Sequence, residues 1–173
     1  MNTSNPFAFE FLQYNRWANL HLIDTLITLT PEQLASSAPG TYGSIYDTLV
    51  HIVQAESRYY QRLSGVALVP PFSWEVVPPL TAIRSFAEQV SGELVEAAEK
   101  MKITDTFERD WHDEEWEGQR SRYKSVSMLI QVVNHGVEHR TNITTILAQQ
   151  GIEAPALDGW EFMRQNPDRL GMG

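Results

Sequence analysis

The chain has 173 residues, 42% of them hydrophobic, a size and composition that suit one domain (residues 1–173) built round a single sizeable core. Lys+Arg 13 against Asp+Glu 22 leaves a net charge of −9, which repels phosphate backbones and argues against a nucleic-acid partner. The absence of cysteine excludes disulfides, thiolate metal ligands and a protein thiol nucleophile together.

No apolar run is long enough to span a bilayer, and no secretory signal pattern opens the chain. The expectation is a cytoplasmic protein with no membrane partner. After a short polar lead, residues 7–29 read as the first helix. Phe7, Phe11, Tyr14, Ala18, Leu22, Leu26 and Leu29 recur at steps of three and four, and Leu12, Leu20, Ile23 and Ile27 broaden the apolar face. Pro31 ends it, because proline cannot continue a helix interior. Residues 34–43 form a connection rich in Ser, Pro and Gly.

Ser44, followed three residues on by Asp47, reads as the cap of a second helix over residues 45–64, with Ile45, Leu49, Ile52, Val53, Tyr60 and Leu63 as its stripe. Residues 65–79 hold four prolines and Trp74 and read as an ordered crossing loop. A third helix is expected over residues 80–102, with Thr81 as a candidate cap. Residues 104–123 alternate Phe107, Arg109 and Trp111 with polar neighbours and read as a small exposed β-hairpin or extended excursion. A fourth helix follows over residues 125–150, stopped at Gly151. The tail carries Leu157, Trp160, Phe162 and Met163, enough apolar mass to pack back on the helices. Four long helices of this kind predict an all-α, four-helix-bundle fold.

The fourth helix carries His135 and His139. A step of four residues is slightly more than one turn, so both rings project from one face. His139 falls inside the stripe of Met128, Leu129, Val132, Val133, Ile143, Ile146 and Leu147, and His135 falls at its edge. Two readings stand: a divalent metal held by the pair, or two hydrogen-bonded histidines lining the bundle. The zinc-protease signature needs Glu directly after the first His, and Gly136 stands there.

His51 adds a third ring from the second helix. At roughly 100° per residue it lies about 130° from the centre of its own stripe, which does not suit a core histidine. It is either a surface group or a ligand leaning across the seam between the second and fourth helices. Three imidazoles from two helices would leave coordination positions open, as reactive metal sites do. His112, among Asp110, Asp113, Glu114 and Glu115, reads as a solvated turn, and His21, beside Trp17, as a group with little claim to a pocket. The tryptophans and tyrosines read as packing. No phosphate loop, serine elbow or basic run is present.

The segments YNRWANLHLIDTL, SIYDTLVHIVQAESRYYQRL and LIQVVNHGVEHRTNITTILAQQG, with the tail LDGWEFMRQ, resemble the DinB-like family over nearly the whole chain. The resemblance implies a four-helix bundle with a long crossing connection, a homodimer, and a divalent metal on His51, His135 and His139. It also implies a metal-dependent enzyme, either a hydrolase or a transferase that uses a low-molecular-weight thiol. One departure is visible. After His139 and Arg140, family sequences often carry Gly-Gln, and this chain carries Thr141 and Asn142.

Three neutral ligands would leave the full charge of Zn²⁺ or Ni²⁺ available to activate water or an external thiol against a small-molecule substrate. Asn142 and Glu138 are candidates for contact just outside the ligand set. No general acid or base is identified. The alternative is a non-catalytic metal-binding stress-response protein whose ion pins the second helix to the fourth.

Overall fold

A computed structural model describes residues 6–104, 110–112 and 122–169. Helix α1 covers Pro6–Leu26, α2 Pro31–Leu34, α3 Ile45–Ser64 and α4 Leu80–Thr104. Strands β1 (Asp110–His112) and β2 (Arg122–Lys124) follow, then α5 (Ser125–Gln149), α6 (Gly159–Gln165) and a 3₁₀ turn at Pro167–Arg169.

The boundaries follow from local chemistry. The Ser44 hydroxyl accepts the Asp47 amide and starts α3 as expected. Gly65 closes α3 at φ 76°, a left-handed conformation that a side chain would oppose. Gly151 follows α5 in the same region, at φ 69°. Three readings need correction. The first helix ends at Leu26, not Leu29. Thr30-Pro31-Glu32-Gln33, read only as a stop, also opens α2 through a reciprocal capping box between Thr30 and Gln33. Helix α4 already begins at Leu80, so Thr81 is inside it rather than its cap.

The four long helices pack as a ring: α1 lies against α4 and α5, and α3 lies against the same two. Their stripes meet in one core. Leu22, Ile23, Leu26, Ile45, Leu49, Ile52, Ile83, Leu94, Ile143, Ile146 and Leu147 are essentially inaccessible. Each such side chain contributes roughly 1.5–3 kcal/mol of transfer free energy. Arg84 adds a two-pronged contact to Asp24, Nε to Oδ1 at 2.5 Å and Nη2 to Oδ2 at 3.1 Å, which ties α4 to α1.

The expected hairpin is present at its base. Strand β1 pairs antiparallel with β2, Asp110 opposite Lys124 and His112 opposite Arg122. Its turn, including Trp116, lies outside the described residues. The long crossing connection is not loose: Trp74 and Phe72 stack edge-on, and both rings meet Phe86 of α4. The tail packs back as anticipated. Phe162 of α6 sits against Tyr14 and Trp17, and the Tyr14 hydroxyl donates to the Leu157 carbonyl at 2.7 Å.

Candidate metal centre

Helices α3 and α5 run antiparallel along the seam that carries the histidines. His51 meets His135 and His139, and further along α3 Tyr59 meets His135 and Gln131. The off-stripe position of His51 is therefore the position that faces α5. The Nε2 atoms of His51 and His135 are 3.0 Å apart, and one ligand atom from each of the three rings fits within a 4.8 Å span. Two nitrogens on one tetrahedral ion, each about 2.0–2.1 Å from it, sit roughly 3.3 Å apart. The closest pair thus needs a shift of a few tenths of an ångström to share a single cation, and the widest separation, up to 4.8 Å, must close by more than an ångström.

His135 and His139 are each only 7% exposed. Their Nδ1 atoms are buried and have no hydrogen-bond partner among the described residues. A buried polar atom left unpaired costs on the order of 1–3 kcal/mol.

The surroundings favour neutral rings. Burial lowers the pKa of His135 to about 4, and His139, His51 and Arg58 push the same way. Burial also lowers His51, with His139 and Arg58 adding to it. His139 is lowered by burial as well, while Glu138 beside it pulls in the opposite direction. A neutral imidazole offers a lone pair, which is the form a cation requires.

The remaining candidates separate cleanly. His21 stacks on Trp17 at 5.4 Å between centroids and takes no part in the cluster. His112 lies in β1. Asn142 does not face an open site. Its Oδ1 accepts the Tyr42 backbone N–H at 2.8 Å, and its Nδ2 donates to the Glu138 carbonyl at 2.8 Å. Tyr42 in turn stacks on His51 and places its hydroxyl 3.0 Å from His51 Nδ1.

A cavity of about 330 Å³ opens beside the cluster, lined by Tyr59, Arg62, Tyr123, Ser127, Met128 and Gln131. The Tyr59 ring is the shared wall: its centroid is 5.7 Å from that of His135, edge to face. Arg58 and Arg62 stand one and two turns beyond Ala55 on the face of α3 that carries His51. Both are exposed.

Behind the histidines lies a second polar feature. Glu56 is 1% exposed, and its Oε1 accepts from the side-chain amides of Asn15 and Asn19, both at 2.7 Å. The carbonyl oxygens of those amides accept from Arg140 Nη1 at 2.7 and 2.6 Å. A buried carboxylate and a buried guanidinium are thus joined through two amides. Burial raises the Glu56 pKa, and the two asparagines and Arg140 oppose it. Gly136 makes room for this arrangement: a Cβ there would fall 2.6 Å from Arg140 Nη1 and still closer to Asn15 Oδ1. The sequence held a signal for the network. Glu56 and Arg140 both fall on the apolar stripes of their helices, three or four residues from Ile52, Tyr60 and Ile143.

Bundle, long connection and three converging imidazoles agree with one assignment, and a DinB family profile matches residues 1–170. The chain belongs to the DinB family. Among curated relatives it is similar to Protein DinB of Bacillus subtilis (strain 168), with 24% identity over 166 residues, 89% of this chain and 92% of that protein. As the resemblance implied, this DinB-family chain brings together His51, His135 and His139.

Proposed function

We propose that His51, His135 and His139 hold one divalent cation, zinc or nickel, and that residues 1–173 form one catalytic domain acting on a small molecule. The observation that carries this reading is the convergence of three imidazoles from two helices, held in the neutral form by burial. When bound, the ion would supply Lewis acidity enough to make water or a thiol nucleophilic at neutral pH. His51, His135 and His139 would orient it. With no cysteine in the chain, any thiol is an external low-molecular-weight cosubstrate.

An enzyme is favoured over a structural metal site by two features. No fourth His, Cys, Asp or Glu joins the group among the described residues. A cavity lies against Tyr59, whose ring meets His135, whereas structural zinc sites are closed by four protein ligands. Arg58 suits a substrate or thiol that carries an acidic group, despite the overall negative charge.

The test is to load the protein with zinc or nickel and compare two assays: conjugation of small thiols to electrophiles, and hydrolysis of simple amides and esters. Turnover in the first that a chelator abolishes identifies a thiol transferase, and the same result in the second a hydrolase. Turnover unaffected by chelation in both would overturn metal catalysis.

We also infer a homodimer that works in the cytoplasm without a nucleic-acid partner. Among the described residues, no helix is long and apolar enough to cross a membrane. Ile130 is 65% and Val137 43% exposed on the outer face of α5, and this apolar surface supports self-association. Light scattering should give about twice the chain mass of 19.7 kDa; the monomer mass would rule the dimer out.

A further inference from the structure

We propose that Tyr42 is a positioning residue of the histidine site, fixing the tautomer and orientation of His51, with Asn142 holding Tyr42 in place. The inference rests on the metal-binding reading above.

Tyr42 lies on the connection between α2 and α3, yet it is anchored at both ends. Its backbone N–H donates to Asn142 Oδ1 across 100 residues of sequence. The Asn142 amide is itself oriented by its bond to the Glu138 carbonyl one turn back on α5. At the other end, the ring lies on His51 with centroids 4.2 Å apart and planes 24° apart. Its edge meets His139 at 4.9 Å and 80°. The ring is 55% exposed and forms the outer cover of the cluster.

The hydroxyl settles the chemistry. A neutral imidazole has one donor nitrogen and one acceptor nitrogen. In His51, Nε2 faces His135 and Nδ1 faces the Tyr42 hydroxyl at 3.0 Å. For Nε2 to lend its lone pair to a cation, the ring proton must sit on Nδ1. The Tyr42 oxygen then accepts that N–H, and the tyrosine keeps its own proton as a donor toward solvent. Partners of this kind orient metal-ligating histidines and raise their basicity. The Nδ1 atoms of His135 and His139 have no partner among the described residues, so within that set His51 is the ring with such support.

Asn142 stands two residues after Arg140 on α5. The structure gives that residue a task. It holds the aromatic cover over the two rings it touches.

The experiment measures zinc affinity by competition with a chromogenic chelator for wild type, Tyr42→Phe and Asn142→Ala. The His51 ring N–H is followed in the zinc-loaded proteins by ¹⁵N-resolved NMR. Tyr42→Phe keeps the stacked ring but removes the acceptor. It should weaken zinc binding by about 10–100-fold, the usual effect of losing such a partner. It should also make the His51 Nδ1–H exchange faster with water, while the melting temperature of the metal-free protein stays unchanged. Asn142→Ala should give a smaller loss of affinity in the same direction. Zinc affinity within twofold of wild type in Tyr42→Phe, with the Nδ1–H equally protected, would overturn the proposal and leave the metal site standing. Failure of the wild type to bind zinc or nickel would instead defeat the functional reading on which it rests.

Discussion

Purified beside the wild type, His139→Ala protein should contain almost no divalent metal by elemental analysis. Ligand strength decides the size of the effect. Loss of a partner that merely orients a ligand weakens metal binding by about 10–100-fold, so loss of the ligand itself should exceed that. His139 sits in the apolar stripe of α5 and is only 7% exposed, so alanine there also removes a buried ring. A fall in stability without a fall in metal content would show that the ring is structural. Equal metal content in the two proteins would defeat the ligand assignment. His51→Ala provides the cleaner companion, because His51 is less buried and stands off its own stripe. Loss of metal in both variants is the expected result.

The second large effect is expected at Glu56. Glu56→Ala removes the acceptor shared by Asn15 and Asn19 and leaves the Arg140 guanidinium buried without its balancing charge. Removing one member of a buried charge pair costs about 3–5 kcal/mol. For a chain of this size that corresponds to a fall in melting temperature on the order of 10 °C. The coupling between the charges runs through two amides rather than one direct contact. A double-mutant cycle with Arg140→Met should therefore recover the part of the loss that comes from the unmatched charge, while the buried Asn15 and Asn19 amides, stripped of both partners, keep the double variant below wild type. Thermal melts of the single and double variants decide the matter. A Glu56→Ala protein melting within a degree or two of wild type would show that the network is dispensable.

The network also bears on the candidate metal centre. Arg140 follows His139 directly, and Gly136 follows His135. Between them these two residues let α5 press its histidine face toward α3 while its other buried face clasps Asn15 and Asn19 of α1. The glycine that excluded the zinc-protease signature therefore has a packing reason. Only a residue without Cβ admits the Arg140 side chain at that point.

Local features were legible from the residue order by itself. Apolar spacing placed the four long helices, Ser44 and Gly151 marked two of their ends, and the four-residue step put His135 and His139 on one face. All of these depend on neighbours within one or two turns, where backbone geometry dictates the outcome. The capping box at Thr30 was equally local, but its short helix was hidden behind the proline that ends α1.

Family likeness singled out His51 as the third candidate ligand, which periodicity by itself left as either a surface group or a partner across a seam. Folding decided between those two, because the meeting of His51 with His135 joins residues 84 apart. The bond from Asn142 to Tyr42 spans 100 residues, and the one from Arg140 to Asn15 spans 125. Such contacts have no signature in local spacing: they exist only once α1, α3 and α5 are packed side by side. The order of residues thus determined which helices form and which faces they bury, while the packing of those faces determined which polar groups meet. The physical reason is range. Helix formation answers to nearest turns, and a site built from side chains on separate helices answers to the whole core that holds them together.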